Sequence, residues 1–335
     1  MEKLFSVQQT EFDFEPLSES EIARDCEQIK KVITNIDTVI RGKHDQVCLV
    51  VLCMLAEGNV LIEDIPGVGK TSLVSSLAKT IDCEYKRIQF TPDVMPSDVS
   101  GFSIYNQKTG EFEFRRGAAM SNIVLADEIN RASAKTQSAM LEIMEEKQVT
   151  VDGNTYKLKR PFMVLATQNP IDQLGTYQLP EAQIDRFMVK LSLGYPNFED
   201  EVNVVMLGRQ AKAAIDSVVN ADVINQLIAD CHRVSVSRVV SSYIVHIVEA
   251  TRSNADIRLG ASPRGSINLH ALSRAYALLQ GRNYVIPDDV KVLAPYVLSH
   301  RIILSQQAKN EKKDPAQLIR GIVGQVVVPT TTQNR

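Results

Sequence analysis

The sequence predicts an α/β fold, a parallel sheet with helices on both faces, followed by an all-helical region. Three observations carry that prediction. Short apolar strand-like segments alternate with helical patterns as far as Leu193. One junction, Leu61-Ile-Glu-Asp-Ile-Pro-Gly-Val-Gly-Lys-Thr-Ser-Leu73, reads as strand, glycine-bearing turn and helix start. Beyond Tyr195-Pro196-Asn197 the apolar spacing turns helical with almost no strand signal.

Taken in order, residues 1–17 read as an irregular, loosely tethered extension. Ser18 opens a helix with Glu21 three residues on, a capping box, and Ile22, Cys26, Ile29, Val32, Ile33 and Ile36 follow at helical spacing. Val39-Ile40-Arg41-Gly42 interrupts before a buried helix from His44 to Ala56. Five strands are expected, at Val60–Glu63, Tyr85–Phe90, Asn122–Ala126, Phe162–Thr167 and Met188–Leu193, with helices at Thr71–Lys79 and Ala132–Glu146. Such an arrangement gathers functional groups at the carboxyl ends of the strands.

Two stretches break the rhythm and read as insertions. Residues 91–117 carry alternating aromatics around Thr109-Gly110, and residues 148–159 carry the hairpin signal Asp152-Gly153. The α/β domain therefore spans 18–195. A helical domain spans 196–335, with Ser262-Pro263 and Pro287 as helix starts, Gly281 as a stop, and a polar tail from Pro329.

A length of 335 residues fits two domains with ample core. Lys plus Arg total 37 and Asp plus Glu total 40, a net charge of −3 that gives no support to an electrostatic nucleic-acid binder. The cysteines Cys26, Cys48, Cys53, Cys83 and Cys231 form no Cys-x-x-Cys pair and read as reduced thiols of a cytoplasmic protein. Val47–Ala56, the longest apolar run, is too short to span a bilayer, and Met1–Pro16 has no export-signal pattern.

The opening junction has what a phosphate-binding loop needs. Gly67 and Gly69 let backbone N–H groups surround phosphate oxygens at a helix N-terminus. Lys70 would reach the β- and γ-phosphates, and the Thr71 hydroxyl would bind magnesium. Asp64 stands where the strict pattern has glycine. The strand Ile123–Ala126 ends in Asp127, suited to place magnesium, and Glu128, suited to polarise water. Val164-Leu-Ala-Thr-Gln-Asn169 ends a further strand in a side chain able to bond a γ-phosphate or its water. Arg186 suits a charge-stabilising finger supplied across a subunit boundary, its plainer reading being an exposed arginine paired with Glu181 or Asp185. Arg264 sits in the first turn of a helix, an unfavourable place for a cation that an anion contact would explain.

Together and in this order, these elements resemble the AAA+ ATPases, with their Walker A, Walker B, sensor 1, arginine finger and sensor 2. Asp127-Glu128-Ile-Asn130-Arg131-Ala132, Ala166-Thr-Gln-Asn-Pro170 and Leu179-Pro-Glu-Ala-Gln-Ile-Asp-Arg-Phe187 are similar to the MoxR-type branch, and the two insertions fall where that branch carries its helix-2 insert and its hairpin before sensor 1. The resemblance implies a P-loop NTPase core with a helical lid. It implies ATP and Mg2+ as cofactors, bound between the two domains through Pro66, Gly67, Val68, Gly69, Lys70, Thr71, Ser72 and Asp127. Ile40 and Gly42 fall where the family contacts adenine. Glu128, Asn169, Arg186 and Arg264 take catalytic roles, with Arg131 a second candidate for the trans-acting arginine.

By the same resemblance the chain forms a ring, a hexamer, that remodels a client or partner protein in chaperone-like fashion, commonly one with a von Willebrand factor A domain. The alternatives are a nucleic-acid-associated motor or loader, a magnesium-chelatase-like ATPase subunit, and a nucleotide switch that presents a surface without remodelling. His44, His232, His246, His270 and His300 are scattered singly and read as structural, Lys157–Arg160 as a solvated strand, and Met140 with Met144 as core.

Overall fold

A computed structural model describes residues 15–169, 177–207 and 215–328. Most of the expected N-terminal extension, Pro170 and the tail from Pro329 lie outside the described residues.

Helix α1 (Glu19–Asp37) starts as its capping box requires. The Ser18 hydroxyl accepts the Glu21 N–H at 3.3 Å, and the Glu21 carboxylate accepts the Ser18 N–H at 2.8 Å. Helix α2 (His44–Leu55) buries Val47 and every residue from Leu49 to Leu55, so it must be enclosed by other elements.

The chain then runs β1 (Val60–Glu63), α3 (Lys70–Thr80), β2 (Tyr85–Gln89), α4 (Pro96–Ser100), the hairpin β3 (Gly101–Asn106) and β4 (Glu111–Arg116), β5 (Ile123–Asp127), α5 (Ala134–Glu146), the hairpin β6 (Gln148–Val151) and β7 (Asn154–Lys157), β8 (Met163–Gln168), α6 (Glu181–Ile184) and β9 (Val189–Leu191).

Five of these strands form one parallel sheet in the order β2-β5-β8-β1-β9. Alternate side chains enter opposite cores. Val60, Ile62, Ile123, Leu125, Met163 and Leu165 belong to one cluster, and Leu61, Val124, Ala126, Val164 and Ala166 to the other. The expected two-faced burial is therefore present, each large aliphatic side chain contributing about 1.5–3 kcal/mol. The last strand is shorter than the apolar run Met188–Leu193. Its ladder stops because the amides of Leu193 and Gly194 turn to the Asp64 carboxylate.

Beyond β9 come α7 (Phe198–Leu207), α8 (Ala221–Arg233), α9 (Arg238–Ser253), β10 (Ile257–Leu259), α10 (Pro263–Leu279), α11 (Pro287–Leu298), β11 (Ile303–Leu304), α12 (Gln306–Asn310) and α13 (Pro315–Gln325). The Ser262 hydroxyl caps α10 by accepting the Arg264 N–H at 3.2 Å, and Gly281, at φ +71°, follows its end. The expectation of an all-helical region needs one correction: β10 and β11 pair antiparallel. Strands of two and three residues are too short for alternation to be visible in sequence. Leu227, Leu269, Leu272, Leu293 and Val297 pack in the same cluster as α1, α2 and one sheet face, so the helical region continues that core.

Each insertion carries an antiparallel hairpin, the first preceded by α4, and an aromatic stack joins the two. Phe114 of β4 stacks on Tyr156 of β7 with ring centroids 4.1 Å apart. Near the tip of the first hairpin Tyr105 meets Phe112 edge-on at 5.3 Å, and Phe112 is 74% exposed.

Candidate active site

The loop between β1 and α3 lies open. Gly67 and Gly69 sit at φ +89° and +94°, and a Cβ at either would meet nothing within 4 Å. These are conformations that glycine adopts without strain. Gly69 caps α3, leaving Thr71 and Ser72 exposed in its first turn, where unpaired amides and the helix dipole favour an anion. Pro66 is exposed, while Val68 packs against the core. Lys70 Nζ donates to the Asp64 carbonyl at 2.9 Å. An open glycine cradle, an ammonium beside it and a hydroxyl at its rim fit a triphosphate. The oxygen donors Thr71 and Asp127 suit magnesium.

Asp64 is not a neutral replacement for glycine. One carboxylate oxygen accepts the N–H groups of Leu193 at 2.6 Å and Gly194 at 2.8 Å and the Ser192 hydroxyl at 3.2 Å. The other accepts the Ile65 N–H at 3.0 Å. Hydrogen bonding on this scale accounts for a carboxylate only 6% exposed.

Asp127 closes β5 beside the carboxyl end of β8. Thr167 is fully buried, and its hydroxyl donates to Asp127 Oδ1 at 2.6 Å while accepting the Glu128 N–H at 2.9 Å. One hydroxyl thus positions both acids. Arg87, on β2, donates to Asp127 Oδ2 from Nε and Nη2. Glu128 adopts the left-handed conformation, φ 55° and ψ 48°, which costs a non-glycine residue about 1–3 kcal/mol and recurs at functional sites. Its carboxylate accepts from Gln89 Nε2 at 3.0 Å and from Arg131 Nη1 at 2.9 Å. Asn169 follows β8 at the same end of the sheet, half-buried.

Ile40 is buried at the turn before α2, and Gly42 takes φ +70°. A Cβ on Gly42 would collide with the Asp200 carboxylate, so this turn lies against the start of α7. Lys43 Nζ donates to the Tyr195 carbonyl at 2.8 Å. The segment 192–200 thereby touches both the phosphate loop and the turn expected to contact a base.

Arg186 and Arg264 lie elsewhere. Arg186 precedes β9, whose Val189 pairs with Val60 at the amino end of β1, whereas the loop follows the carboxyl end. The length of β1 separates the two by roughly 10 Å. Both arginines meet one carboxylate near the C-terminus of α5: Arg186 Nε is 3.3 Å from Glu145 Oε2, and Arg264 Nη2 donates to Glu145 Oε1. The partner of Arg186 is thus neither Glu181 nor Asp185. Arg264, expected to report a γ-phosphate, is held here on Glu145 beside Arg186. Arg301, buried in the helical region, fixes the place by donating to the carbonyls of Asp185 at 3.1 Å and Phe187 at 2.6 Å.

Sequence reasoning found the loop, Asp127, Glu128 and Asn169, which the structure brings to one end of the sheet. It missed Thr167, Arg87, Gln89 and Arg301, and gave Asp64 no role. Only Thr167 left a trace, as a hydroxyl closing an apolar run. The histidines are structural where their partners are visible: His44 pairs with Asp37 at 2.6 Å, and His300 meets the Phe187 carbonyl at 3.1 Å.

A family model for the ATPase family associated with various cellular activities (AAA) matches residues 59–189, and one for the AAA lid domain matches residues 249–322. The chain is 50% identical over 301 residues to uncharacterized protein YeaC of Bacillus subtilis, covering 89% of this chain and 94% of that one. It is 37% identical over 317 residues to chaperone MoxR1 of Mycobacterium tuberculosis, covering 92% and 84%. A crystal structure of a Cytophaga hutchinsonii protein superposes with a TM-score of 0.86 at 40% identity, covering 93% of this chain and 98% of that one. With the fold and the acid-bearing strand ends in agreement, the chain belongs to the MoxR-type AAA+ ATPases.

Proposed function

We propose that this ATPase works as a ring, a hexamer, in which each site is completed by the next copy and hydrolysis remodels a partner protein. One observation carries the reading. Arg186 and Arg264 are gathered on Glu145 near the C-terminus of α5, with the approach to β9 at the end of the sheet opposite the loop. Presented by a neighbour, two guanidiniums would stabilise the charge that develops on the transferred phosphoryl group.

Within one copy, Pro66–Ser72 hold the phosphates, with Ile40 and Gly42 at the base. Thr71 and Asp127 would hold magnesium, which supplies neutralisation of phosphate charge. Glu128 takes a proton from the attacking water, and Asn169 orients that water. The Gln89 and Arg131 contacts hold Glu128 aside in this state, so leaving them is part of becoming active. The partner is a protein, of the kind that carries a von Willebrand factor A domain. The exposed aromatics Phe112 and Tyr105 suit contact with such a client better than with nucleic acid, given the net charge of −3. Five unpaired cysteines accord with a cytoplasmic setting, and among the described residues no helix is long and apolar enough to cross a membrane.

The test is Glu128→Gln with ATP, followed by mass measurement and identification of co-purifying protein. The expected result is a nucleotide-loaded ring with a trapped client and turnover reduced by roughly 10²–10⁴-fold. Unchanged hydrolysis would remove Glu128 from its role, and a monomer saturated with ATP would overturn the ring.

A further inference from the structure

Asp64 has an anion-binding partner of its own. Leu193 and Gly194 present consecutive backbone N–H groups to its carboxylate, reinforced by the Ser192 hydroxyl. Such an arrangement of amides is a site for negative charge. It belongs to the segment that carries the chain out of the sheet into α7. Gly194, at φ +61° with no atom within 4 Å of a would-be Cβ, gives that segment a turning point with room around it.

The backbone of Asp64 faces the other way. Its carbonyl accepts Lys70 Nζ at 2.9 Å, the ammonium expected on the β- and γ-phosphates. Phosphate oxygens carry full charge where a carbonyl carries a dipole, so a bound triphosphate takes that ammonium from the carbonyl. That frees the Asp64 carbonyl, while its N–H stays on the Gln168 carbonyl at 3.1 Å and its side chain still holds Leu193 and Gly194. Further along, Tyr195 receives Lys43, and Asp200 packs on Gly42, both at the turn expected to contact the base.

We infer that Asp64 is a positioning residue: it ties the phosphate loop to residues 192–194, so that the segment leading to the helical region reads whether a nucleoside triphosphate occupies the loop. The inference rests on the nucleotide reading above. A glycine at this position would keep the loop and lose the tie.

The experiment compares wild-type protein with Asp64→Gly and Asp64→Asn, with and without a non-hydrolysable ATP analogue and magnesium. It measures analogue affinity and amide hydrogen exchange at Leu193 and Gly194. In the wild type the analogue changes exchange at both amides. In Asp64→Gly both exchange roughly tenfold faster, as expected when a charge-assisted acceptor is removed, and no longer respond to the analogue. Affinity stays within about threefold and kcat falls while KM holds, because the ground-state phosphate contacts remain. Asp64→Asn, which keeps shape and an acceptor oxygen, recovers part of the response and covers the case in which the glycine variant fails to fold. Analogue binding with unchanged exchange in the wild type, or a full response in Asp64→Gly, overturns the inference. No analogue binding by the wild type overturns instead the nucleotide reading beneath it.

Discussion

Arg87 and Asp127 face each other from neighbouring strands, with Nε and Nη2 of the guanidinium 3.0 and 2.5 Å from one carboxylate oxygen, Oδ2. The other oxygen is taken by Thr167 at 2.6 Å. A cation approaching Asp127 therefore competes with a guanidinium already there. Replacing Arg87 with alanine is expected to lower the magnesium concentration for half-maximal turnover by about threefold, in keeping with a half-exposed ion pair. A magnesium titration of turnover checks this, and an unchanged or higher requirement contradicts it.

Thr167 serves two masters, so its loss should be felt twice. Thr167→Val keeps the shape but removes the Asp127 donor and the Glu128 N–H acceptor. Stability should fall by about 1–3 kcal/mol for buried groups left unpaired. Turnover should fall by roughly tenfold to a hundredfold through misplacement of the acids, and Thr167→Ser should restore most of it. Thermal unfolding beside ATPase rates separates the effects; a purely thermal change would mean that the hydroxyl does not position the acids.

The shared Glu145 contact predicts complementation. Arg264→Ala and Lys70→Ala proteins are each expected to be nearly inactive alone. Mixed, they should regain a measurable part of turnover, because some interfaces then join an intact loop to intact arginines. Mixtures no more active than their parents would place Arg264 in service of its own chain.

Asp25 predicts a pH effect. It is 1% exposed on α1, beside the fully buried Asp230 of α8, and one of its oxygens has no hydrogen-bond partner. Burial pushes its pKa up to about 6; the Arg24 hydrogen bond opposes that rise, and the Asp230 charge adds to it. Unfolded, the group titrates near 3.9. Its folded pKa is the higher one, so its contribution is complete below about pH 4 and is lost as pH rises through about 6. Asp25→Asn, uncharged throughout, should raise the thermal midpoint by several degrees at pH 8 and hardly at all at about pH 3.5. Equal shifts at both values would exclude ionisation as the cause.

What was legible in the sequence is what neighbouring residues determine. A strand ending in Asp127-Glu128, a glycine turn before Lys70 and the Ser18 capping box each need only a few consecutive positions. The tie from Asp64 to Leu193 spans 129 residues, and Thr167 reaches Asp127 across 40. Neither leaves a periodicity or a spacing. Arg264 was visible as a cation out of place and Arg186 as a candidate finger, but their meeting on Glu145 depends on how α5, α10 and the approach to β9 pack. The β10–β11 pair escaped because two or three residues cannot express a period.

The stack of Phe114 on Tyr156 has a mechanical consequence. The hairpin bearing Tyr156 leads into β8, the strand that Asn169 follows, while the hairpin bearing Phe114 carries the exposed ring of Phe112 near its tip. Two flat rings 4.1 Å apart resist separation more than sliding. The stack thus couples the hairpin that leads into the catalytic strand to the one that carries the exposed aromatic side chains.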